Sequence, residues 1–306
     1  MKKGSKVFLS IAIALFLIGI AIVAIALAFG GQNLIQDLAA GKGNVNFGNL
    51  SVGNLKTPKI YLDLDDWESD EGMTYFGDQS KFEVAKADEI QGLSMEIGAA
   101  KLELRTSQDD AFWLETRTNG EVKCYVESGV LYLKGVKNDA IHSNSKIVLF
   151  IPGDVELKRI ALDLGAGKAE CEELIADEIS MDIGAGQVEI ETLKCDTLST
   201  DLGAGQVTFD NSEVKEGTFS VSMGELLYQG AIQGDVDAEC AMGNMEFDLA
   251  GGEDEFNYRV ECAAGSVTIG DKMYSNLASD MTMDKNAEKD FSIDCAMGNI
   301  ELDFEK

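Results

Sequence analysis

The chain has 306 residues, with 54 acidic side chains against 25 basic ones and a formal net charge of −29. So acidic a surface repels phosphates and anionic headgroups, which excludes nucleic acid as a partner and docking of the body on anionic lipid. Apolar residues make up 45%, enough for a core, and 32 Gly beside 2 Pro favour many tight corners.

The amino terminus carries Lys2, Lys3 and Lys6, followed by an uncharged apolar run from Val7 to Phe29. About 20 apolar residues span a bilayer as a helix, and the lysines hold the start in the cytoplasm. Residues 1–30 are therefore expected to form the cytoplasmic start and a single transmembrane helix, with the rest of the chain extracytoplasmic. Ala26-Leu27-Ala28 resembles a signal-peptidase site, but the apolar run exceeds the roughly 7–15 residues of a signal peptide. Residues 31–58 are rich in Gly and Asn and read as a spacer. An acid-rich loop, 61–72, opens the head, 59–306.

From Lys81 the texture is short alternating strands, and internal repeats set the architecture. The segments 93–104, 160–171, 179–190 and 198–209 share a core such as Ile-Ser-Met-Asp-Ile-Gly-Ala-Gly-Gln-Val-Glu-Ile. Copies at 236–247, 258–269 and 291–302 follow, and 219–230 reads as a degenerate one, with Gly224-Glu225-Leu226 where Gly-Ala-Gly is expected. On this alignment the best copies, starting at 160, 179, 198, 219 and 236, are 17 to 21 residues apart, and the regular part runs over 160–306. Within each copy the apolar positions alternate and then slip phase. Ile183 to Val188 is an odd number of steps, which would send the two side chains to opposite faces of a straight strand. The Gly-Ala-Gly segment must therefore be a corner that returns both halves to one buried side. Glycine suits it by tolerating positive φ and by leaving room for a neighbouring copy's backbone. A coil of this length cannot bury its own apolar face, whereas stacked coils can. The expected fold class is all-β: a β-solenoid head, parallel β-helix-like, behind one N-terminal transmembrane helix. A sandwich of hairpins is disfavoured because Asn-Gly and Asp-Gly turns are scarce. Residues 105–158 lack clean copies and read either as a hairpin-rich cap or as irregular coils.

The order of LSMEIGAAKLEL, GVLYLKG and KIVLFIPGDVELKRIALDLGAGKAEC, then a run of Gly-Ala-Gly copies behind a membrane helix, resembles the bacterial "putative adhesin" family of unknown function. Ile151, Pro152, Leu157 and Ile160 carry its Ile-Pro element. The resemblance covers about residues 81–306. It implies a repeat-β surface protein and brings no catalytic residues.

Nothing in the sequence suits acyl transfer. There is one histidine, His142, and no Gly-x-Ser-x-Gly. The Gly-Ala-Gly segments lack the Gly-Lys-Ser/Thr of a phosphate loop. The sharper pattern is acidic. The polar position two before each corner holds Glu96, Asp163, Asp182, Asp201, Ser222, Glu239, Glu261 and Asp294, which stacked coils would bring into one column. Two readings are open: caps bonded to corner backbone, or a cation column in which Asp163, Asp182 and Asp201 bind Ca2+. Cys240, Cys262 and Cys295 occupy the apolar slot of Ile183 and Leu202, and Cys171 that of Ile190, so the thiols read as buried hydrophobes. The expected function is non-enzymatic and adhesin-like: a membrane-anchored surface for an envelope, surface or host ligand, with no cofactor. An envelope sensor acting through membrane partners and a glycan-acting β-helix enzyme are the alternatives.

Overall fold

The computed structural model describes residues 74–76, 79–118, 121–137, 145–275 and 281–305. The expected membrane helix, the spacer, the 61–72 loop and His142 lie outside them. Among the described residues no helix is long and apolar enough to cross a membrane. The fold is all-β. The strands form one continuous hydrogen-bonded sheet, and the only helical pieces among the described residues are short 3-10 turns such as Ala87–Glu89 and Glu253–Glu255.

Parallel ladders in fixed register build the body. Leu157–Leu164, Leu174–Ile183 and Leu193–Leu202 lie side by side, with Ile160 opposite Ile179 and Ile179 opposite Leu198. Past the corner, Lys168–Cys171 pairs with Gln187–Ile190, and that strand with Gln206–Phe209. Side chains on adjacent coils are 19 residues apart in sequence. The coil at 217 keeps this step: Gly217 lies opposite Leu198, Ser220 opposite Asp201 and Val221 opposite Leu202. The copy placed at 219 is thus corrected by two residues. Its corner is Ser222-Met223-Gly224, and the starts 160, 179, 198, 217 and 236 are evenly spaced. The misalignment arose because Phe219 imitates the apolar start of a copy, whereas it fills the core slot of Thr200.

Each coil turns three times. The second and third corners come at pairs such as Glu191-Thr192 and Asp196-Thr197, where the inward alternation again slips phase between Ile190 and Leu193 and between Cys195 and Leu198. Three short faces thereby enclose one core of stacked apolar files. In the coils up to 198 these files are mainly aliphatic. Farther along, Phe209, Phe219, Tyr228, Phe247 and Phe291 meet mostly edge-on, with centroids 5.2–6.5 Å apart.

At both ends the spatial order departs from the chain order. Gly92–Ile97 lies between Leu157–Leu164 and Val130–Lys137, parallel to both, and Lys101–Ser107 pairs likewise with Lys146–Pro152. Val130–Lys137 and Lys146–Pro152 therefore add a ninth coil, while Ala111–Arg117 runs antiparallel to Gln79–Lys86 and Lys146–Pro152, and Glu121–Glu127 antiparallel to Val130–Lys137, as a cap. Residues 105–158 supply both of the structures the sequence left open. At the far end Lys289–Cys295 and Asn299–Glu305 insert between the coil of 236–250 and the coil of 256–269. Lys272–Ser275 and Met281–Met283 close that edge antiparallel. Parallel coils leave open edges at each end, and antiparallel caps cover them.

One core position is mismatched. Thr200 is 1% exposed and its hydroxyl finds no hydrogen-bond partner, between Met181 and Phe219 of the adjoining coils. A buried orphan hydroxyl costs about 1–3 kcal/mol. Thr200→Val keeps the shape and removes that cost. It is expected to raise the urea midpoint, corresponding to about 1 kcal/mol, with an unchanged denaturant slope.

The cysteines stack as the register directs. Cys295 lies opposite both Cys240 and Cys262, so three thiols share one core file. All six are free and buried. Burial pushes Cys171 and Cys195 up to about 12, and Cys295 likewise, with its neighbours Cys240 and Cys262 adding to the effect. Thiols so held resist alkylation, because the thiolate is the nucleophile. Iodoacetamide at pH 8 should leave all six unmodified in the native protein and label all six in denaturant. Early labelling of any one would place it on a part of the fold that opens first.

Candidate functional site

The Gly-Ala-Gly corners hold the neighbouring polar positions in line. None of the corner glycines has positive φ; among the described glycines only Gly129, Gly230, Gly251 and Gly270 do. The conformational half of the expectation is therefore corrected. The steric half stands at the third corner position: a Cβ at Gly224 would lie 2.6 Å from the carbonyl oxygen of Gly205, and one at Gly186 2.9 Å from that of Gly167. Glycine is there because coils touch backbone to backbone.

Two residues before the corner, the acidic positions fall into one file. It runs Glu96, Asp163, Asp182, Asp201, Ser220, Glu239, Asp294, Glu261 in spatial order. Asp163, Asp182 and Asp201 are thus brought side by side. Ser220 takes the place assigned to Ser222, and Asp294 precedes Glu261 because the last coil is inserted. At the amino-terminal end Lys134 ion-pairs with Glu96 at 3.3 Å. At the other end Arg259 ion-pairs with Glu261 at 2.8 Å. Partial burial between neighbours, then the charges of Asp182 and Glu96, push Asp163 up to about 6. Asp182 is raised by the same burial and by Asp201. Asp201 is raised by burial, against a lowering hydrogen bond from Ser220. A calcium ion gathers six to eight oxygens around one point. This file supplies one carboxylate per coil along a line, and among the described residues no group of three or more His, Cys, Asp or Glu is placed to hold a metal ion.

The face after the corner treats its charges differently. Lys101 bridges Glu103 at 3.0 Å and Glu170 at 2.7 Å, and Lys168 bridges Glu170 and Glu189. Gln187 donates to Glu189 and to Gln206, and Gln206 donates to Glu225. Glu103 is 5% exposed, and burial alone would raise it. Hydrogen bonds from Lys146, Lys101 and Arg105 outweigh that and hold it at about 2. One face is thus a lattice of bridged charges, while the other carries a file of acids ion-paired at its two ends, by Lys134 and by Arg259.

The third face carries a feature that the sequence reading missed. A depression of about 540 Å³ crosses four coils over Leu157, Ala176, Cys195 and Val214. Small side chains at Ala176 and Cys195 lower its floor between Leu157 and Val214, which share their file. Its rims are charged with both signs: Lys194 pairs with Glu213 at 3.0 Å, and Lys215 pairs with Asp196. Ile175 stands 45% exposed beside it. The signal was available in the third phase slip, at Cys195 to Leu198, which marks a separate short face.

Residues 99–230 match the family model of Toastrack DUF4097. The match spans less than half of the chain. It begins at the first corner and includes the cap strands and the coils through Tyr228, and the structure continues its ladders beyond Gly230 in the same register. The family resemblance read from the motifs is borne out at this level. No curated protein matches the chain. Among solved structures, the chain is similar to a "putative adhesin" from Bacteroides fragilis at 12% identity, covering 76% of this chain and 98% of that one with a TM-score of 0.39. It is similar also to a "putative cell adhesion protein" from Clostridium sporogenes, at 11% identity, 76% and 100% coverage and a TM-score of 0.33. A "Putative lipid binding protein" from Parabacteroides distasonis gives 15% identity, 76% and 97% coverage and 0.32. Superpositions this loose transfer nothing to this chain beyond the likeness itself.

Proposed function

We propose that this chain is a non-enzymatic, adhesin-like binding protein of the cell envelope. Its head is a β-solenoid, parallel β-helix-like, held outside the membrane by the helix of residues 1–30. The observation that carries this reading is the depression crossing four coils. A stack repeats each position at about 4.8 Å intervals, so an extended peptide or glycan lying across it meets one apolar floor residue and one set of charged rim residues per coil, over four coils. Multiple weak contacts of that kind suit capture of a polymer. They do not converge on one reacting bond.

Two experiments test the reading. Protease added to intact cells should digest the head and leave a membrane-embedded fragment containing Val7–Phe29; a mature chain beginning at Phe29 would refute the anchor. Full-length protein in detergent, mixed with envelope extract, should retain a polymer that the Lys158→Glu, Lys194→Glu, Lys215→Glu variant retains at least tenfold less well. Equal retention would remove the depression as the binding surface.

A further inference from the structure

Most large hydrophobic side chains of the body are inside, but Met223, Met242 and Met297 are 60%, 53% and 58% exposed. All three occupy the middle position of a corner. Their N–H groups donate to the coil before: Met223 to Gly203 O, Met242 to Ser222 O and Met297 to Ala241 O, at 2.7–2.8 Å. Those bonds place the three methionines next to one another on consecutive coils. In chain order they are not consecutive, because the copy between Met242 and Met297 carries Ala264. Only the insertion of the last coil between the coils of 236–250 and 256–269 joins them.

The fold does not need methionine there. Ala99, Ala166, Ala185, Ala204 and Ala264 fill the same slot in the other copies. Exposed thioethers add apolar surface in water with no packing return. What three of them add is chemistry: thioether sulfur is a soft donor that selects Cu(I) and similar ions over hard cations. Coils about 4.8 Å apart put the outer two corners within about 10 Å. Met has three rotatable bonds, enough for three sulfurs to converge above Met242. The file of Ser220, Glu239 and Asp294 runs three residues before these methionines on the same coils, and its negative field raises the local concentration of cations.

We propose that Met223, Met242 and Met297 form a surface site for a soft monovalent metal ion of the Cu(I) class, bound through three thioether sulfurs. The site is separate from the depression on the third face and does not depend on the function proposed for it.

Silver(I) serves as a redox-inert probe. Full-length protein in detergent, labelled with 13C at the methionine methyls, should show three methyl resonances moving together on addition of less than one equivalent of Ag(I). Met223→Leu, Met242→Leu and Met297→Leu should each delete one of them. Met242→Leu, which removes the central donor, should weaken Ag(I) binding at least tenfold without changing the melting temperature. Met273, 71% exposed on a cap strand away from the corners, is the control and should not shift. Equal shifts at Met273 and the corner methionines would overturn the site, since they report nonspecific thioether contact. So would Ag(I) uptake that leaves the methyls unmoved and disappears on replacing Cys240, Cys262 and Cys295 with Ala, because the metal then goes to the buried thiol file.

Discussion

Gly205→Val should lower the stability of the head by about 3 kcal/mol or more, whereas Gln206→Val, one residue on, should be nearly neutral. For a body of this size that is a fall of about 6–12 °C in melting temperature. The Cβ of any residue at 205 would fall inside contact distance of the carbonyl oxygen of Gly186 on the coil below. Both partners are backbone, so neither can rotate away, and relief requires the coils to part. Parting them breaks bonds on both sides, since Gln206 N–H donates to Gly186 O and Glu225 N–H to Gly205 O, each at 3.0 Å. The first glycine of the same corner supplies the control. Position 203 also approaches a carbonyl, but the equivalent residues are Ser222, Ala241, Ala263 and Ala296 in four other coils, so the backbone there accommodates a Cβ. The third position is glycine in seven of the eight copies, Ala100 in the coil next to the amino-terminal cap being the exception. Gly203→Ala should therefore cost under about 1 kcal/mol. Equal melting points for Gly205→Val and Gly203→Ala would refute backbone contact as the reason for the glycines.

The same pair of positions shows what the sequence could and could not disclose. An odd step between inward residues, Ile183 to Val188, revealed the corner with no structural information. That arithmetic applied at Ile190 to Leu193 and at Cys195 to Leu198 would have revealed the other two corners and so the third face. What a single chain cannot reveal is spatial order. Cys240, Cys262 and Cys295 are evenly legible as one slot, but the file runs 240, 295, 262 because the terminal coil is inserted. The methionine row is invisible for the same reason. The Val130–Lys137 coil was also hidden. Gly135 stands where Ile97 and Leu164 mark the end of a face, and no Gly-Ala-Gly follows it, so the template fails although the backbone pairing persists. Asp163, Asp182 and Asp201 were readable as neighbours because their three coils are consecutive in both orders.

Those three aspartates yield the second large expected effect: the head should melt higher at pH 5 than at pH 7.5 in low salt, and the triple variant Asp163→Asn, Asp182→Asn, Asp201→Asn should melt higher than wild type at pH 7.5. The sign follows from linkage. Partial burial and the charges of Asp182 and Glu96 raise Asp163 in the folded state to about 6, above the ordinary aspartate value of 3.8. Asp182 and Asp201 are raised as well. Between those values the folded state binds more protons than the unfolded one, so stability falls as pH rises from about 4 through about 6. Glu103, held at about 2 by Lys146, Lys101 and Arg105, contributes the opposite slope. Its stabilisation is present above the ordinary glutamate value and is lost as pH falls toward 2, so it does not enter the window from 4 to 6. Salt separates the two faces. Raising it from 0.01 to 0.1 M shortens the Debye length from about 30 Å to about 10 Å, which relieves repulsion along a partly exposed acid file. The wild type should gain melting temperature and the triple variant should gain little. Millimolar calcium compared with sodium at equal ionic strength decides between the two readings of the column: a gain specific to calcium that vanishes in the variant would show chelation. A triple variant that melts lower than wild type at pH 7.5 would mean the carboxylates bond to the corner backbone, and the repulsion account would fall with it.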